Sequence, residues 1–275
     1  MSDAEPEVLY TAADGVAVVT LNRPAARNAM TYEMAVQLRQ AMLRAQGEEA
    51  VRIVVLTGAG AAFCVGLDVN AIVSTADHGA PQRYIGALHW PLDPAMRHDY
   101  QATHNYFPGI DKPIIGMLNG ATAGLGLIYA AFCDLCFAAD SAVFSTSFAR
   151  RAVAAEYGIA WLLPRLVGQA RAADLLLSAR RFDAAEALQI GLVARVYPRA
   201  RLEAETMAYA QDIALNCGPL ALSAIKRQLW EAPFQTLAEA NMLYKRLLKT
   251  CTDSADLREA ALSFLEKRPP RFTGR

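Results

Sequence analysis

The chain has 275 residues, 54% of them hydrophobic, and its 27 basic and 27 acidic residues balance. This composition excludes a strongly basic nucleic-acid-binding protein and supplies enough apolar side chains for a large core. No apolar run reaches the roughly 18 to 20 residues that a membrane span needs, and the acidic start lacks the pattern of a secretory signal. We therefore expect a soluble, cytoplasmic protein without a membrane or nucleic-acid partner.

Strand-like and helix-like segments alternate along the first two thirds of the chain. Four runs predict buried strands, at Val16–Leu21, Ile53–Thr57, Ile114–Leu118 and Leu135–Ala138. Thr31–Gln46 and Leu125–Phe132 have helical patterns. Such alternation is typical of βαβ crossovers and parallel strands, so we predict an α/β fold.

The pattern changes near residue 199, where the strand signals stop. Four helix-like blocks follow, around Ala200–Leu215, Pro219–Glu231, Phe234–Lys249 and Asp253–Glu266. No Ser/Gly-rich linker separates the two parts, so we predict one compact subunit with a core over 1–198 and a helical region over 199–275. The segment Ala76–His104 has little periodicity and is predicted to be a mobile loop or short helix near the binding pocket.

Two of the predicted strands lead into glycine-containing turns. The first turn, over 62–68, contains Phe63-Cys64-Val65-Gly66-Leu67-Asp68, and the second, over 119–126, ends in Gly124-Leu125-Gly126 at a helix start. Backbone N–H groups at such a helix start lack intrahelical partners and can hold an anion. No Lys-Ser/Thr pair follows the glycines and no acidic residue marks a ribose site, which favours an enolate oxygen over a phosphate.

These turns and several short motifs resemble the crotonase superfamily, also called the enoyl-CoA hydratase/isomerase family. The motifs occur in the expected order, at Leu21-Asn22-Arg23-Pro24 with Arg27-Asn28-Ala29, Phe63–Asp68, Lys112-Pro113, Asn119-Gly120, Cys133-Asp134, Pro164–Gly168 and Gly191-Leu192-Val193. The resemblance implies a crotonase-like spiral of ββα units followed by a C-terminal helical trimerisation region. It also implies an acyl-CoA substrate, no cofactor beyond the substrate's own CoA thioester, and a homotrimer or dimer of trimers.

The resemblance places an oxyanion hole at the backbone N–H groups of Leu67 and Leu125. Backbone donors suit this role because they are prepositioned where negative charge develops on the thioester oxygen. The alternative is that both leucines merely pack in the core. Asp68, at the end of the first turn, is predicted to cap the following helix rather than to act in catalysis.

The resemblance also implies where CoA binds. The backbone around Arg27, Ala29, Cys64 and Val65 is expected to line the pantetheine and adenine sites, and Arg27 is also placed to approach a phosphate. Lys267 is a candidate contact for the CoA phosphates, from the same or a neighbouring subunit. A solvated basic tail is the alternative for Lys267.

The acid-base residue separates the reactions of this family. By ungapped spacing, the two hydratase glutamates correspond to Ile128 and Phe148, and neither can transfer a proton. Between Asp140 and Asp174 the only carboxylate is Glu156. It falls where peroxisomal-type Δ3,Δ2-enoyl-CoA isomerases carry their single catalytic glutamate. One carboxylate is enough for an allylic shift, and an apolar setting would raise its pKa and make it a better base.

Glu156 leaves more than one function open. It could instead be an exposed helix-start carboxylate or the ion-pair partner of Arg150 or Arg151. We prefer an enoyl-CoA isomerase; the alternatives are an enoyl-CoA hydratase of fatty-acid metabolism and a catalytically silent acyl-CoA-binding homologue. Tyr157 either orients the substrate or packs in the pocket wall, and packing is favoured.

No metal site is predicted. Cys133-Asp134-Leu135-Cys136 has zinc-like or redox-like spacing, but no second Cys/His pair lies nearby, which favours reduced core thiols. Four histidines occur in the irregular segment, at His78, His89, His98 and His104. Their spacings match no metal site, so we expect them to be exposed to solvent.

Overall fold

The computed structural model describes residues 5–71, 73 and 97–275. Its strands are β1 (Val8–Ala13), β2 (Val16–Leu21), β3 (Ile53–Gly58), β4 (Ala62–Cys64), β5 (Ile114–Leu118), β6 (Ala121–Ala123), β7 (Leu135–Ala139), β8 (Val143–Ser145), β9 (Phe182–Asp183) and β10 (Arg195–Tyr197). Its helices are α1 (Tyr32–Gly47), α2 (Leu125–Phe132), α3 (Ile159–Val167), α4 (Gln169–Ser178), α5 (Ala184–Gln189), α6 (Leu202–Asn216), α7 (Pro219–Glu231), α8 (Leu237–Thr252) and α9 (Ala255–Glu266). All four predicted strands are confirmed, and so are the two helices predicted in the first two thirds of the chain.

Six strands form the larger sheet, in the order β1-β2-β3-β5-β7-β10. β1 and β2 pair antiparallel through a hairpin whose turn residues Asp14 and Gly15 both have positive φ, as a tight type I′ turn requires. The remaining pairs are parallel, as the alternation of strands and helices predicted. Every residue of β3 and β5 is buried, which explains why these strands have continuous apolar patterns.

A smaller sheet in the order β4-β6-β8-β9 lies beside the larger one. Three long strands of the larger sheet, β3, β5 and β7, are each followed by a short strand of the smaller sheet, β4, β6 and β8. Helices α2 and α3 follow the second and third of these strand pairs. This repetition is the spiral of ββα units that the resemblance implied, and it brings the ends of successive strands to one region.

The chain passes from β5 of the larger sheet to β6 of the smaller sheet through a very tight turn. At Gly120 a Cβ atom would lie 2.0 Å from the carbonyl oxygen of Ala61, a distance that no side chain can accept. The Asn119 side chain donates to the carbonyl oxygens of Gly60 and Ala62 at 3.0 and 3.2 Å. The Asn119-Gly120 pair therefore joins the first crossing to the second and fixes their relative position.

Every strand that the structure describes ends by Tyr197, and only helices follow. Helix α6 packs against β2, β3, β5, β7 and β10, so the helical region begins as a cover for the larger sheet. Helix α8 begins at Leu237 rather than Phe234 because Thr236 and Glu239 form a capping box there. The boundary at residue 198 remains a prediction.

The part of Ala76–His104 up to residue 96 lies outside the described residues, and the rest includes a 3-10 turn over His98–Gln101. Among the helices that the structure describes, none is both long and apolar enough to cross a membrane.

Candidate active site

The first glycine turn is held in place by the strand-like segment before α1. The N–H of Met30 donates to the carbonyl oxygen of Gly66, and the N–H of Asp68 donates to the carbonyl oxygen of Met30, both at 2.8 Å. These bonds flank Leu67, which pairs with Met30 in a parallel bridge. Its own N–H is not used in that pairing and is available to a ligand.

Asp68 closes this turn as a cap, as predicted. Its Oδ1 atom accepts from the N–H of Asn70 at 2.9 Å, where helical residues begin, and its Oδ2 atom accepts from Arg23 Nη1 at 2.9 Å. Burial alone would raise the pKa of the Asp68 carboxyl, but the bonds to Arg23 and Asn70 outweigh it and lower that pKa below its ordinary value. Asp68 is therefore an ionised structural group.

The second turn ends at the first residue of α2. Gly124 has a φ of 52° and its N–H donates to the carbonyl oxygen of Ser145 at 3.1 Å. Leu125 then begins the helix, and the first N–H groups of a helix have no intrahelical acceptor. The positive end of the helix dipole lies at the same point and favours negative charge there.

The two turns touch each other. A Cβ atom added to Gly66 would lie 3.4 Å from the carbonyl oxygen of Ala123 and 3.7 Å from the backbone nitrogen of Leu125. At Gly126, an added Cβ atom would lie 2.1 Å from the carbonyl oxygen of Cys64, so only glycine permits this contact. Gly126 is required by the close approach of the two backbones, whereas Gly66 is required by its φ of 105°.

A cavity of about 320 Å³ opens beside this contact. It is lined by Val65, Gly66, Leu67, Gly124, Leu125, Ser147, Phe148, Arg151, Val153, Glu156 and Tyr157. The structure thus brings together both predicted oxyanion residues and the predicted carboxylate, although they are far apart in the sequence. The side chains of Leu67 and Leu125 pack at the core, so the alternative of core packing is correct for these side chains. It places no constraint on the two backbone N–H groups.

Glu156 lies in the loop that precedes α3. The helix begins only at Ile159, whose N–H donates to the carbonyl oxygen of Glu156 at 3.1 Å, so Glu156 is outside the first helical turn. Arg150 donates to the carbonyl oxygen of Ser178 at 3.0 Å instead. Within the described ranges, neither Arg150 nor Arg151 forms an ion pair with Glu156.

The surroundings of Glu156 make its carboxylate more basic. Its side chain reaches solvent, yet partial desolvation raises the pKa of its carboxyl above the ordinary value. Phe148 and Val153 form apolar parts of the same cavity wall. A carboxylate with a raised pKa accepts a carbon-bound proton more readily than an ordinary one.

The two hydratase positions carry no acid. Ile128 is fully buried in α2, and Phe148 is a buried residue of the cavity wall. Of the described residues that line the cavity, only Glu156 carries a carboxylate.

The predicted CoA residues lie partly outside this cavity. Val65 lines it, whereas the exposed Arg27 and the half-buried Ala29 lie on the segment that leads into the Met30 pairing. The Cys64 thiol is fully buried, and burial raises its pKa to about 12, so its role is to pack. Lys267 caps the end of α9, is exposed to solvent and does not line the cavity of its own subunit.

One prediction about the histidines was wrong. His104 is buried rather than exposed: its Nδ1 atom lies 2.6 Å from the hydroxyl oxygen of Tyr129, and its ring meets Tyr157 edge-on at 4.5 Å. Burial, with a smaller effect of the charge on Arg39, lowers the pKa of His104 to about 3, so the ring is neutral. His98 is exposed as expected.

The His104 contacts join two parts of the site. Tyr129 lies one turn after Leu125 in α2, and Tyr157 follows Glu156 directly. Tyr157 packs in the cavity wall, as favoured, with a φ of 49° that few side chains adopt. Spacing in the sequence could not reveal this cluster because its members pair only in the folded chain, and His78 and His89 lie outside the described residues.

The cysteines behave as core residues. Cys64, Cys133 and Cys136 are buried, and the thiol of Cys136 donates to the carbonyl oxygen of Ala130 at 3.1 Å. Burial and the neighbouring Cys136 raise the pKa of Cys133 well above its ordinary value. Over the described ranges, no group of three or more His, Cys, Asp or Glu side chains is placed to hold a metal ion.

The ββα spiral thus brings the two glycine turns and the carboxylate of Glu156 to the same cavity. The chain belongs to the enoyl-CoA hydratase/isomerase family, whose sequence model matches residues 11–275. It is therefore an enzyme of this family acting on acyl-CoA. Two expectations that the resemblance carried are thereby confirmed, namely membership of the family and the ββα fold.

Similar proteins carry more than one activity in their names. A probable enoyl-CoA hydratase of Rhodobacter capsulatus is 36% identical over 98% of both chains, and the 1,2-epoxyphenylacetyl-CoA isomerase of Escherichia coli K12 is 32% identical over 95% of this chain and 96% of its own. Among solved structures, a probable enoyl-CoA hydratase/isomerase from Mycobacterium abscessus superposes with a TM-score of 0.85 at 33% identity, covering 98% of this chain and 99% of the other.

Proposed function

We propose that this protein shifts the double bond of a 3-enoyl-CoA to the 2-enoyl position, which is the reaction of the peroxisomal-type Δ3,Δ2-enoyl-CoA isomerases. The observation that carries the proposal is that, among the described residues lining the cavity, Glu156 alone carries a carboxylate and lies in the same lining as Leu67 and Leu125. The raised pKa of Glu156 and the absence of acids at Ile128 and Phe148 support it.

The reaction uses Glu156 twice. Its carboxylate removes a proton from C2 of the acyl group, and the electrons move into a dienolate whose negative oxygen accepts hydrogen bonds from Leu67 and Leu125. Glu156, now protonated, returns the proton to C4, so the carboxylate is regenerated and the double bond lies between C2 and C3. One such backbone donor is typically worth about 3 to 4 kcal/mol of barrier.

A hydratase is the second candidate because of the names of the relatives, including the probable hydratase of R. capsulatus. Water addition is normally served by two groups, one that activates water and one that delivers a proton. Here Glu156 would have to perform both tasks. The arrangement therefore favours isomerisation over hydration.

The test follows both reactions in the wild-type enzyme. Purified protein is given 3-enoyl-CoA and, separately, 2-enoyl-CoA, in water enriched in oxygen-18. We expect the 3-enoyl substrate to become 2-enoyl-CoA without incorporated label. Rapid formation of labelled 3-hydroxyacyl-CoA from the 2-enoyl substrate, together with slow isomerisation, would establish the hydratase instead. Binding of the substrates without either product would establish a silent acyl-CoA-binding homologue.

We further propose that the helical region mediates assembly into a trimer or dimer of trimers. Large apolar side chains on α8 and α9 are exposed in the single subunit, including Leu237 at 79%, Phe264 at 84% and Leu265 at 75%. Large apolar side chains that are this exposed commonly mark a protein interface where they form one patch. Light scattering coupled to gel filtration gives the mass directly, and a monomer at micromolar concentration would refute the proposal.

The position of Lys267 fits that assembly. It follows Phe264 and Leu265 at the end of α9, away from the cavity of its own subunit. An interface built on these side chains would carry Lys267 toward a neighbouring subunit, where it could contact CoA phosphates. The proposal for Lys267 as a CoA contact therefore depends on the oligomer.

A further inference from the structure

Among the described residues that line the cavity, Glu156 and Arg151 carry a charge. Arg151 ends the 3-10 turn Ala149–Arg151, and its backbone N–H donates to the carbonyl oxygen of Phe148 at 2.9 Å. Its guanidinium group has no ion pair or hydrogen bond with any residue that the structure describes. The reaction proposed above makes no use of it.

The neighbouring arginine makes the contrast clear. Arg150 donates from Nε to the carbonyl oxygen of Ser178 at 3.0 Å and does not line the cavity. Arg151 instead belongs to a cavity whose other walls are mostly apolar, among them Leu67, Phe148 and Val153. Arg151 is exposed to solvent and also lines the cavity. A guanidinium there can bind an anion that enters the cavity, because its planar fork matches a carboxylate or phosphate in a bidentate manner.

An acyl-CoA offers two sources of such an anion, the phosphates of CoA and a carboxylate on the acyl group. Leu67 and Leu125 line the cavity, and in the proposed function their N–H groups receive the thioester oxygen, so the acyl group would begin there. At about 320 Å³ it has room for an acyl group but not for a whole acyl-CoA. The candidate phosphate contacts Arg27 and Lys267 lie outside it.

We propose that Arg151 selects acyl-CoA substrates whose acyl group bears a carboxylate. The inference rests on the proposed function in one respect, that the acyl group occupies this cavity. It adds the substrate class: dicarboxylic acyl-CoA thioesters rather than plain fatty acyl-CoA thioesters. The carboxylate would lie at the far end of the acyl group from the thioester, against the guanidinium.

The test measures binding of saturated ligands, which cannot be isomerised or hydrated. Dissociation constants are measured by calorimetry for adipoyl-CoA, which ends in a carboxylate, for hexanoyl-CoA, which has the same number of acyl carbons, and for CoA alone. The proteins are wild type, Arg151→Gln, Arg151→Lys and the matched control Arg150→Gln. Circular dichroism checks that each variant is folded.

We expect Arg151→Gln to weaken adipoyl-CoA binding by about 10- to 100-fold, as expected for losing a charge-assisted hydrogen bond, and to change hexanoyl-CoA and CoA binding by less than about 2-fold. Arg151→Lys should weaken adipoyl-CoA binding less than Arg151→Gln does, because it keeps the charge and loses the fork. Arg150→Gln should leave all three affinities unchanged.

Two results would overturn the inference. Equal weakening of all three ligands by Arg151→Gln would place a CoA phosphate at Arg151, and unchanged affinity for adipoyl-CoA would leave Arg151 without a ligand role. Neither result depends on which reaction occurs. If the protein does not isomerise 3-enoyl-CoA, but Arg151→Gln still weakens adipoyl-CoA binding selectively, only the proposed reaction is refuted.

Discussion

The contact between the two glycine turns leads to a specific prediction for Gly66→Ala. The new methyl group would lie 3.4 Å from the carbonyl oxygen of Ala123 and 3.7 Å from the nitrogen of Leu125, and the residue would keep a φ of 105° that alanine rarely adopts. Backbone strain of this kind costs about 1 to 3 kcal/mol of stability. Relief of this strain would shift the turn that carries the proposed donor of Leu67. Loss of one oxyanion donor costs about 3 to 4 kcal/mol of barrier, so we expect turnover to fall about 100- to 1,000-fold.

Gly168→Ala is the matched control for strain. Gly168 has a φ of 84° and no atom within 4 Å of an added Cβ, so its substitution strains the backbone without touching the cavity. Urea unfolding should show similar losses of stability for both variants, while only Gly66→Ala loses turnover of the 3-enoyl substrate. Near-normal turnover in folded Gly66→Ala protein would refute the oxyanion hole built from these two turns.

Three further predictions concern ionisation and buried polar contacts. The rate constant kcat/KM should rise with pH, with the midpoint of the rise above 4.5. The reason is that desolvation raises the pKa of Glu156 and only the ionised carboxylate removes a proton. A pH-rate profile without this rise would exclude Glu156 as the base. Asp134→Asn should destabilise the fold by about 3 to 5 kcal/mol in urea unfolding, because it leaves the buried Lys226 ammonium, 2.8 Å from Asp134, without its charge partner; an unchanged unfolding midpoint would contradict this. Tyr129→Phe should cost about 1 to 3 kcal/mol in the same assay, since it leaves the buried Nδ1 atom of His104 unpaired, and a cost below about 0.5 kcal/mol would show that this bond contributes little.

Local patterns were enough to predict much of the fold. Val16–Leu21 and Ile114–Leu118 have the same bounds in the structure as in the prediction, because both are mainly apolar and the turns beside them interrupt that pattern. Short strands such as Phe182–Asp183 were not predicted. A strand of two residues contains too few positions for any period to appear, and its existence depends on pairing with β8.

The candidate site was also predicted only in part from the sequence. Leu67, Leu125 and Glu156 were predicted through motif spacing, and the cavity brings all three together. Arg151 was considered only as an ion-pair partner and His104 only as an exposed residue. Their environments depend on contacts across the fold, such as the 2.6 Å contact between His104 and a tyrosine 25 residues away, which spacing along the chain cannot reveal.

The sign of the Glu156 shift also makes its substitution a clean experiment. A carboxyl whose pKa is raised in the native state holds its proton to higher pH than it does in the unfolded chain. As the pH rises from the unfolded-state pKa through the native-state pKa, ionisation of Glu156 therefore lowers the stability of the fold. Above it, Glu156→Gln removes a charge that the native state disfavours. We therefore expect the variant to be at least as stable as wild type at neutral pH, and urea unfolding of both proteins separates a loss of activity from a loss of fold.

The most direct test of the account is the turnover of 3-enoyl-CoA by Glu156→Gln, measured beside its affinity for a saturated acyl-CoA. The exposed Glu203→Gln on α6 serves as the control. We predict that Glu156→Gln binds the ligand as wild type does and loses isomerisation by at least about 100-fold, the lower range for a positioned acid-base group, while the control is unchanged. Isomerisation that survives in Glu156→Gln would contradict the single-carboxylate mechanism.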